Sequence, residues 1–278
     1  MHDFEDTVVD GPKTSSQRIL YHFLFFGFAY YGVLIPKLLF TKQLAKLKNP
    51  HLWIKSLCFI GLIGICGGIL VHYQILDSFQ SYYEKRFIGS ILNNSRRLAL
   101  YVIPLLIIKF IYDRQEQGLY GLQIKGVDFR PYFYMLLIML PLITIASFNE
   151  AFLKQYPRFF WRTKEVFGLA KWQMATIFEL FYGMDFLFVE LMFRGALIVG
   201  MTKLLGKDSV LPMAVMYGFL HFGKPVGEAV SSVFGGYLLG IFAYYSRNIW
   251  GGVFIHMGIA LLMELTAGIQ HWLRGDFG

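Results

Sequence analysis

Four ionisable side chains in the second half of the chain are candidates for chemistry because they lie within or beside apolar runs. Glu190 and Arg194 are four residues apart, so on a helix they share a face and can form an ion pair. His221 lies near the end of one later apolar run, and His256 lies inside the last one. Ionisable groups are costly in hydrocarbon and normally find one another or a wet cavity. We therefore predict that Glu190, His221 and His256 line one cavity.

A carboxylate and two imidazoles are suited to activating water. Glu190 or a neutral histidine can take a proton from water, and the second histidine can polarise a carbonyl or stabilise the oxyanion. A purely structural alternative stays open, since a buried ion pair or a buried histidine is often structural. Glu179 precedes Glu190 by eleven residues, or about 16 Å along a helix, which is too far for a carboxylate dyad.

Metal ligation is the competing chemistry for the same residues. His221, His256 and Glu190 would supply the two imidazoles and one carboxylate of a catalytic zinc site of the metalloendopeptidase type. The local His-Glu-x-x-His spacing is absent from the sequence. From the residues alone, the cofactor therefore stays open between none and zinc.

The composition shows which kind of fold must position these residues. Of the 278 residues, 56% are hydrophobic and only 16% are charged, whereas ordinary globular domains contain about 25% charged residues. The mean hydropathy is +0.50, which excludes an ordinary soluble enzyme. We expect an integral, multi-pass protein of a plasma or inner membrane, with the lipid bilayer as a partner.

The formal net charge of +8 must lie mainly in loops and termini, because the apolar runs hold few charges. Membrane phosphates explain such a basic excess as well as nucleic acid does. No arginine-rich stripe with interleaved aromatic residues occurs on a polar face, so we expect no nucleic-acid partner.

The apolar runs predict an all-α, polytopic transmembrane helical bundle of about eight spans. Every long run must satisfy its backbone hydrogen bonds internally in lipid, and no even series of short alternating strands is present. The expected spans are residues 19–40, 57–76, 98–112, 131–147, 172–205, 210–222, 229–245 and 249–269. Residues 79–97 are mixed and are expected to form an interfacial amphipathic helix.

The order of these runs predicts four regions. Residues 1–18 form a polar N-terminal tail, and residues 19–171 hold the N-terminal transmembrane helices and interfacial segments. Residues 172–268 form the core that carries the candidate residues, and residues 269–278 form a short C-terminal tail. In the second run, four glycines are expected to allow close helix packing: Gly61, Gly64, Gly67 and Gly68.

Three short motifs occur in order within residues 172–268. They read Val-Glu-Leu-Met-Phe-Arg-Gly from Val189, Tyr-Gly-Phe-Leu-His from Tyr217, and His-Met-Gly-Ile-Ala from His256. This order resembles the CAAX protease and bacteriocin-processing (CPBP) family, which includes type II CAAX prenyl endopeptidases and lysostaphin-resistance protein A-like proteins. The family motifs are Glu-Glu-x-x-x-Arg, Phe-x-x-x-His and His-x-x-x-Asn.

The resemblance implies an intramembrane endopeptidase that cleaves a membrane-associated peptide or protein, of the CAAX type or a leader peptide. In that family pattern Glu190 and His221 would activate water, His256 would bind the oxyanion, and Arg194 would orient Glu190. Two positions depart from the pattern. Val189 replaces the first glutamate, which is the general base in the family pattern. Ala260 replaces the asparagine that helps to stabilise the oxyanion in that pattern.

Two other functions stay open at the level of the sequence. The departures at Val189 and Ala260 suit a catalytically inactive family member that binds a hydrophobic or lipidated partner. A proton-coupled transporter could use the same glutamate and histidines as a proton relay.

Overall fold

The computed structural model describes residues 8–11, 14–69, 75–114, 118–124, 126–159, 164–224 and 226–276. Helices hold most of these residues, and no β-strand occurs among them. The predicted all-α membrane bundle is therefore confirmed as a fold class.

The described ranges contain eleven α-helices. They are α1 (Ser15–Phe40), α2 (Pro50–Gly68), α3 (Tyr82–Arg97), α4 (Ile103–Tyr112), α5 (Arg130–Ala146), α6 (Glu150–Gln155), α7 (Lys171–Glu190), α8 (Thr202–Leu205), α9 (Val210–Phe219), α10 (Val226–Ser246) and α11 (Trp250–Leu273). Leu98–Val102 and Leu191–Val199 are π-helical, and Leu44–Lys48 and Gly206–Ser209 are 3-10 turns.

Four helices, α1, α2, α10 and α11, are long and apolar enough to cross a membrane. The other predicted spans correspond to shorter helices, such as α4 and α9, or to the more polar α7. The chain is an integral, multi-pass membrane protein. Helix α2 begins earlier than predicted because Asn49 caps it, accepting a hydrogen bond from the backbone N–H of His51, and Pro50 occupies its first turn.

The chain divides into two compact units, each made of separate stretches. The first unit comprises Met1–Leu70, Arg97–Val127 and Phe188–Trp250, and the second comprises Val71–Arg96, Asp128–Leu187 and Gly251–Gly278. In the first unit, α1 packs against α2 and α9, and α9 packs against α10. The predicted boundaries after residues 18, 171 and 268 stay a prediction.

The second unit contains two apolar clusters, one between α3 and α7 and the other among α5, α6 and α11. One is built around Phe87, Met174 and Phe178, and the other around Ile143, Phe152 and Ala267. Because the apolar residues of α3 lie on one side, Phe87 is buried while most of the helix is not, as expected for the predicted amphipathic helix.

Glycines on α2 let α1 approach closely, as their spacing predicts. A Cβ atom on Gly68 would lie 2.3 Å from the backbone nitrogen of Ile19, and one on Gly67 would lie 2.3 Å from the ring of His22. A Cβ atom on Gly64 would lie 3.1 Å from the Ile19 carbonyl oxygen, whereas Gly61 faces open space. Three of the four glycines are therefore at the helix contact.

Gly68→Ala should destabilise the protein by about 1–3 kcal/mol, because backbone atoms of α1 cannot move aside locally. Gly61→Ala is the matched control on the same helix. It should be neutral or slightly stabilising, since alanine favours the helix and meets no neighbour. Thermal unfolding in detergent measures both variants, and equal melting temperatures for the two would contradict this account of the contact.

Asp208 lies in the 3-10 turn Gly206–Ser209 and joins it to the end of α1 and to the 3-10 turn Leu44–Lys48. Lys37 Nζ lies 3.2 Å from its Oδ1, and Lys46 Nζ lies 2.8 Å from its Oδ2. Lys46 also donates a 2.8 Å hydrogen bond to the Leu205 carbonyl. Burial alone would raise the pKa of Asp208, but the hydrogen bonds and charges of Lys46 and Lys37 outweigh it and hold this pKa below its usual value.

This lowered pKa predicts a loss of stability in acid. A carboxyl whose pKa is lower in the folded state stabilises the fold above its unfolded pKa, and it loses that contribution as the pH falls through the folded pKa. The melting temperature should therefore fall more steeply below about pH 4. Asp208→Asn should flatten this acid dependence and cost about 1–3 kcal/mol at neutral pH. If the melting temperature of Asp208→Asn fell in acid as steeply as that of the wild type, Asp208 would not be the source of the acid dependence.

Candidate active site

The centre of the candidate site is a buried ion pair in the first unit. Arg194 Nη1 donates a 2.7 Å hydrogen bond to Glu190 Oε1, and the two residues are 1% and 0% exposed. Glu190 ends α7, and Arg194 lies on the π-helical segment that continues from it. The four-residue spacing keeps both side chains on one side of the chain, which gives the contact expected from the sequence.

Tyr217 on α9 covers the charged face of Arg194. The guanidinium carbon lies 4.4 Å from the centroid of the Tyr217 ring, within the range of a cation–π contact. The Phe193 ring packs against Tyr217 in an edge-on arrangement at 5.3 Å between centroids. The arginine is therefore fixed by a carboxylate and by an aromatic face.

His221 follows α9 in a turn and contacts the same tyrosine. Its ring centroid lies 4.7 Å from that of Tyr217, and its Nδ1 lies 3.0 Å from the Tyr217 carbonyl oxygen. A carbonyl can only accept, so Nδ1 carries the proton and Nε2 is the basic nitrogen of the neutral ring. Tyr217 thus contacts both Arg194 and His221.

A second buried network supports the far end of the π-helical segment. Lys55 Nζ lies 2.5 Å from Asp113 Oδ2 and 2.5 Å from the Gly200 carbonyl oxygen. Tyr120 donates a 2.8 Å hydrogen bond to the same carboxylate oxygen, and its backbone lies where a Cβ atom on Gly195 would clash. The prediction that the second span begins at residue 57 left Lys55 outside the helix. The signal it missed is the cap and proline at residues 49 and 50, which place Lys55 inside α2.

The remaining motif positions fall in different units. Val189 is buried beside Glu190 in the first unit, whereas His256 and Ala260 lie on α11 in the second. The His256 ring lies 6.0 Å from that of Phe186. The shared cavity for Glu190, His221 and His256 stays a prediction.

The described part of neither unit contains three His, Cys, Asp or Glu side chains grouped to hold a metal ion. In the first unit, one oxygen of Glu190 already accepts a hydrogen bond from Arg194. A zinc centre of the metalloendopeptidase type is therefore not supported by the donor set of the described residues within either unit.

Residues 171–262 match the family model described as type II CAAX prenyl endopeptidase Rce1-like. The match covers less than half of the chain and contains all three motifs. No curated protein and no solved structure matches the chain. At the family level, these residues support a CAAX-type intramembrane protease. The resemblance to the CPBP family is thus confirmed, with residues 171–262 as its Rce1-like segment.

Proposed function

We propose that the protein is an intramembrane endopeptidase that hydrolyses a peptide bond of a membrane-associated substrate, of the CAAX type or a leader peptide. The observation that supports this best is the fully buried pair of Glu190 and Arg194, with His221 held against the tyrosine that covers the arginine. A buried charge pair beside an oriented imidazole is an arrangement that can activate water.

In the proposed reaction, water attacks the carbonyl carbon of the scissile bond. Its proton passes to Glu190 or to Nε2 of His221, and from there to the nitrogen of the departing amine. His256 donates a hydrogen bond to the oxyanion. Arg194 is a positioning residue, since its Nη1 holds Oε1 of Glu190 at 2.7 Å.

Two departures from the family pattern determine the roles that Glu190 and His256 must take. Because Val189 supplies no carboxylate, Glu190 has to serve as the base in its place. Because Ala260 supplies no amide, His256 has to stabilise the oxyanion without it.

A cleavage assay on the purified protein tests the proposal. The protein is incubated in lipid nanodiscs with a library of membrane-anchored peptides, and products are identified by mass spectrometry. We expect cleavage at a defined bond by the wild type and a large loss of cleavage in Glu190→Ala and in His221→Ala. Equal cleavage by all three proteins would contradict the proposal, and so would its absence from the wild type.

The second candidate is a catalytically inactive family member that binds a hydrophobic or lipidated partner. The replacements at Val189 and Ala260 favour it, because they remove the first glutamate and the asparagine of the family pattern. It predicts that His221→Ala leaves cellular function intact while bulky substitutions in the binding cavity abolish it. Loss of cellular function in a correctly folded His221→Ala protein would count against this candidate.

A further inference from the structure

The second unit contains a large cavity between α7 and α11. Its volume is about 920 Å³, and most of its lining side chains are apolar. The lining follows regular four-residue spacings, with Ala175, Glu179 and Gly183 on α7 and a matching series on α11 that ends at Trp272. Such spacing places one continuous face of each helix on the cavity. The volume is within the range of cavities that hold a small ligand.

Two glutamates are the only charged residues among the described residues that line this cavity. They are Glu179 on α7 and Glu264 on α11, and both line this one cavity. Carboxylates on apolar helix faces are expensive unless they are paired, so their presence here indicates a ligand or a structural role.

The two carboxylates differ in the hydrogen bonds that they already accept. The backbone N–H of Arg158 donates to both oxygens of Glu264, at 2.7 and 2.9 Å. Oε2 of Glu179 is shielded from solvent and has no hydrogen-bond partner within the described ranges. Glu264 is therefore structurally satisfied, whereas Glu179 is suited to a cation that enters with a ligand.

We propose that this cavity binds an amphiphile with a single alkyl chain and a primary ammonium group. The chain fills the space between the apolar walls, and the ammonium donates to Glu179, with Glu264 adding a second negative charge. An ammonium group has three donors and makes charge-assisted hydrogen bonds with carboxylates. An anionic amphiphile would be repelled by both glutamates, and a neutral one would leave Glu179 uncompensated.

Binding does not require catalysis, so it can be tested apart from the proposed peptidase. Trp272 lines the cavity and provides a local signal. The full-length protein in lipid nanodiscs is titrated with a dodecylamine that carries bromine near the end of its chain, and quenching of tryptophan fluorescence is followed. The matching brominated dodecanol has the same chain without the charge.

We expect the amine to bind about tenfold more tightly than the alcohol, which corresponds to one charge-assisted hydrogen bond in a partly apolar site. Trp272→Phe should remove most of the quenching and so locate the ligand. Glu179→Gln should reduce the affinity for the amine to that for the alcohol. It should leave the melting temperature near that of the wild type, because Oε2 of Glu179 makes no hydrogen bond to another described residue.

A pair of glycine variants tests the cavity itself. Gly268 lines the cavity, and a Cβ atom there meets nothing within 4 Å, so Gly268→Leu should fill part of the space without a clash at the backbone and weaken binding of both ligands. Gly235 on α10 is equally free of neighbours but lies in the first unit, so Gly235→Leu is the matched control and should change neither affinity.

Three results would overturn the proposal. The first is equal affinity of the wild type for the amine and the alcohol, and the second is a preference for the amine that survives in Glu179→Gln. The third is quenching that persists in Trp272→Phe, which would place the ligand elsewhere. A lysine-containing transmembrane peptide that binds while the amine does not would assign the cavity to a peptide instead.

Discussion

Glu190→Gln should destabilise the protein by about 3–5 kcal/mol, the typical cost of breaking a buried ion pair from one side. Arg194 is 1% exposed, and its guanidinium cannot relieve burial by losing a proton. The substitution removes the only charge that the structure places against it at hydrogen-bond distance among the described residues. Contact with the ring of Tyr217 remains, but a cation–π contact is worth less than a buried charge pair.

The double variant Glu190→Gln with Arg194→Met is the control for this result. It removes the cation together with its partner, and replacing both members of a buried pair is often nearly neutral. Thermal unfolding in detergent should therefore show a large loss for the single variant and partial recovery for the double one. If Glu190→Gln had the same melting temperature as the wild type, the ion pair would contribute nothing to stability. That result would remove the reason for giving Arg194 a positioning role.

His221→Ala should reduce the rate of peptide cleavage by about 10²–10⁴-fold, the usual contribution of a general acid–base group. The fold should tolerate this change, because His221 lies in the turn after α9 and is only partly buried. The hydrogen bond of its Nδ1 runs to the carbonyl of Tyr217, four residues earlier in the chain. The measurement is the rate constant for cleavage of a membrane-anchored peptide, taken beside the melting temperature.

His51→Ala is the matched control for His221, because His51 is exposed at the start of α2 in the same unit. It should change neither the rate nor the melting temperature. Cleavage that survives in His221→Ala at the wild-type rate would leave the histidine as a structural residue. A fall in rate that only accompanies a fall in melting temperature would have the same meaning.

The fold class could be predicted from the sequence because it depends on local composition. A chain in lipid has to satisfy its backbone hydrogen bonds within each segment, so long apolar runs become helices whatever their neighbours are. The pairing of Glu190 with Arg194 is local in the same sense, since a four-residue spacing brings two side chains together on any helix. The glycine spacing of α2 likewise predicted a close helix contact, although it did not identify α1 as the partner.

Only the tertiary structure decided which distant residues meet. It placed Tyr217 over Arg194, joined Lys55 to Asp113, and put Glu179 and Glu264 in the lining of one cavity. None of these contacts follows from periodicity, because a repeat along one helix identifies the face that is buried and not the helix that covers it. The choice of partner depends on how all the helices pack at once, where small residues and buried charges of separate segments must fit together.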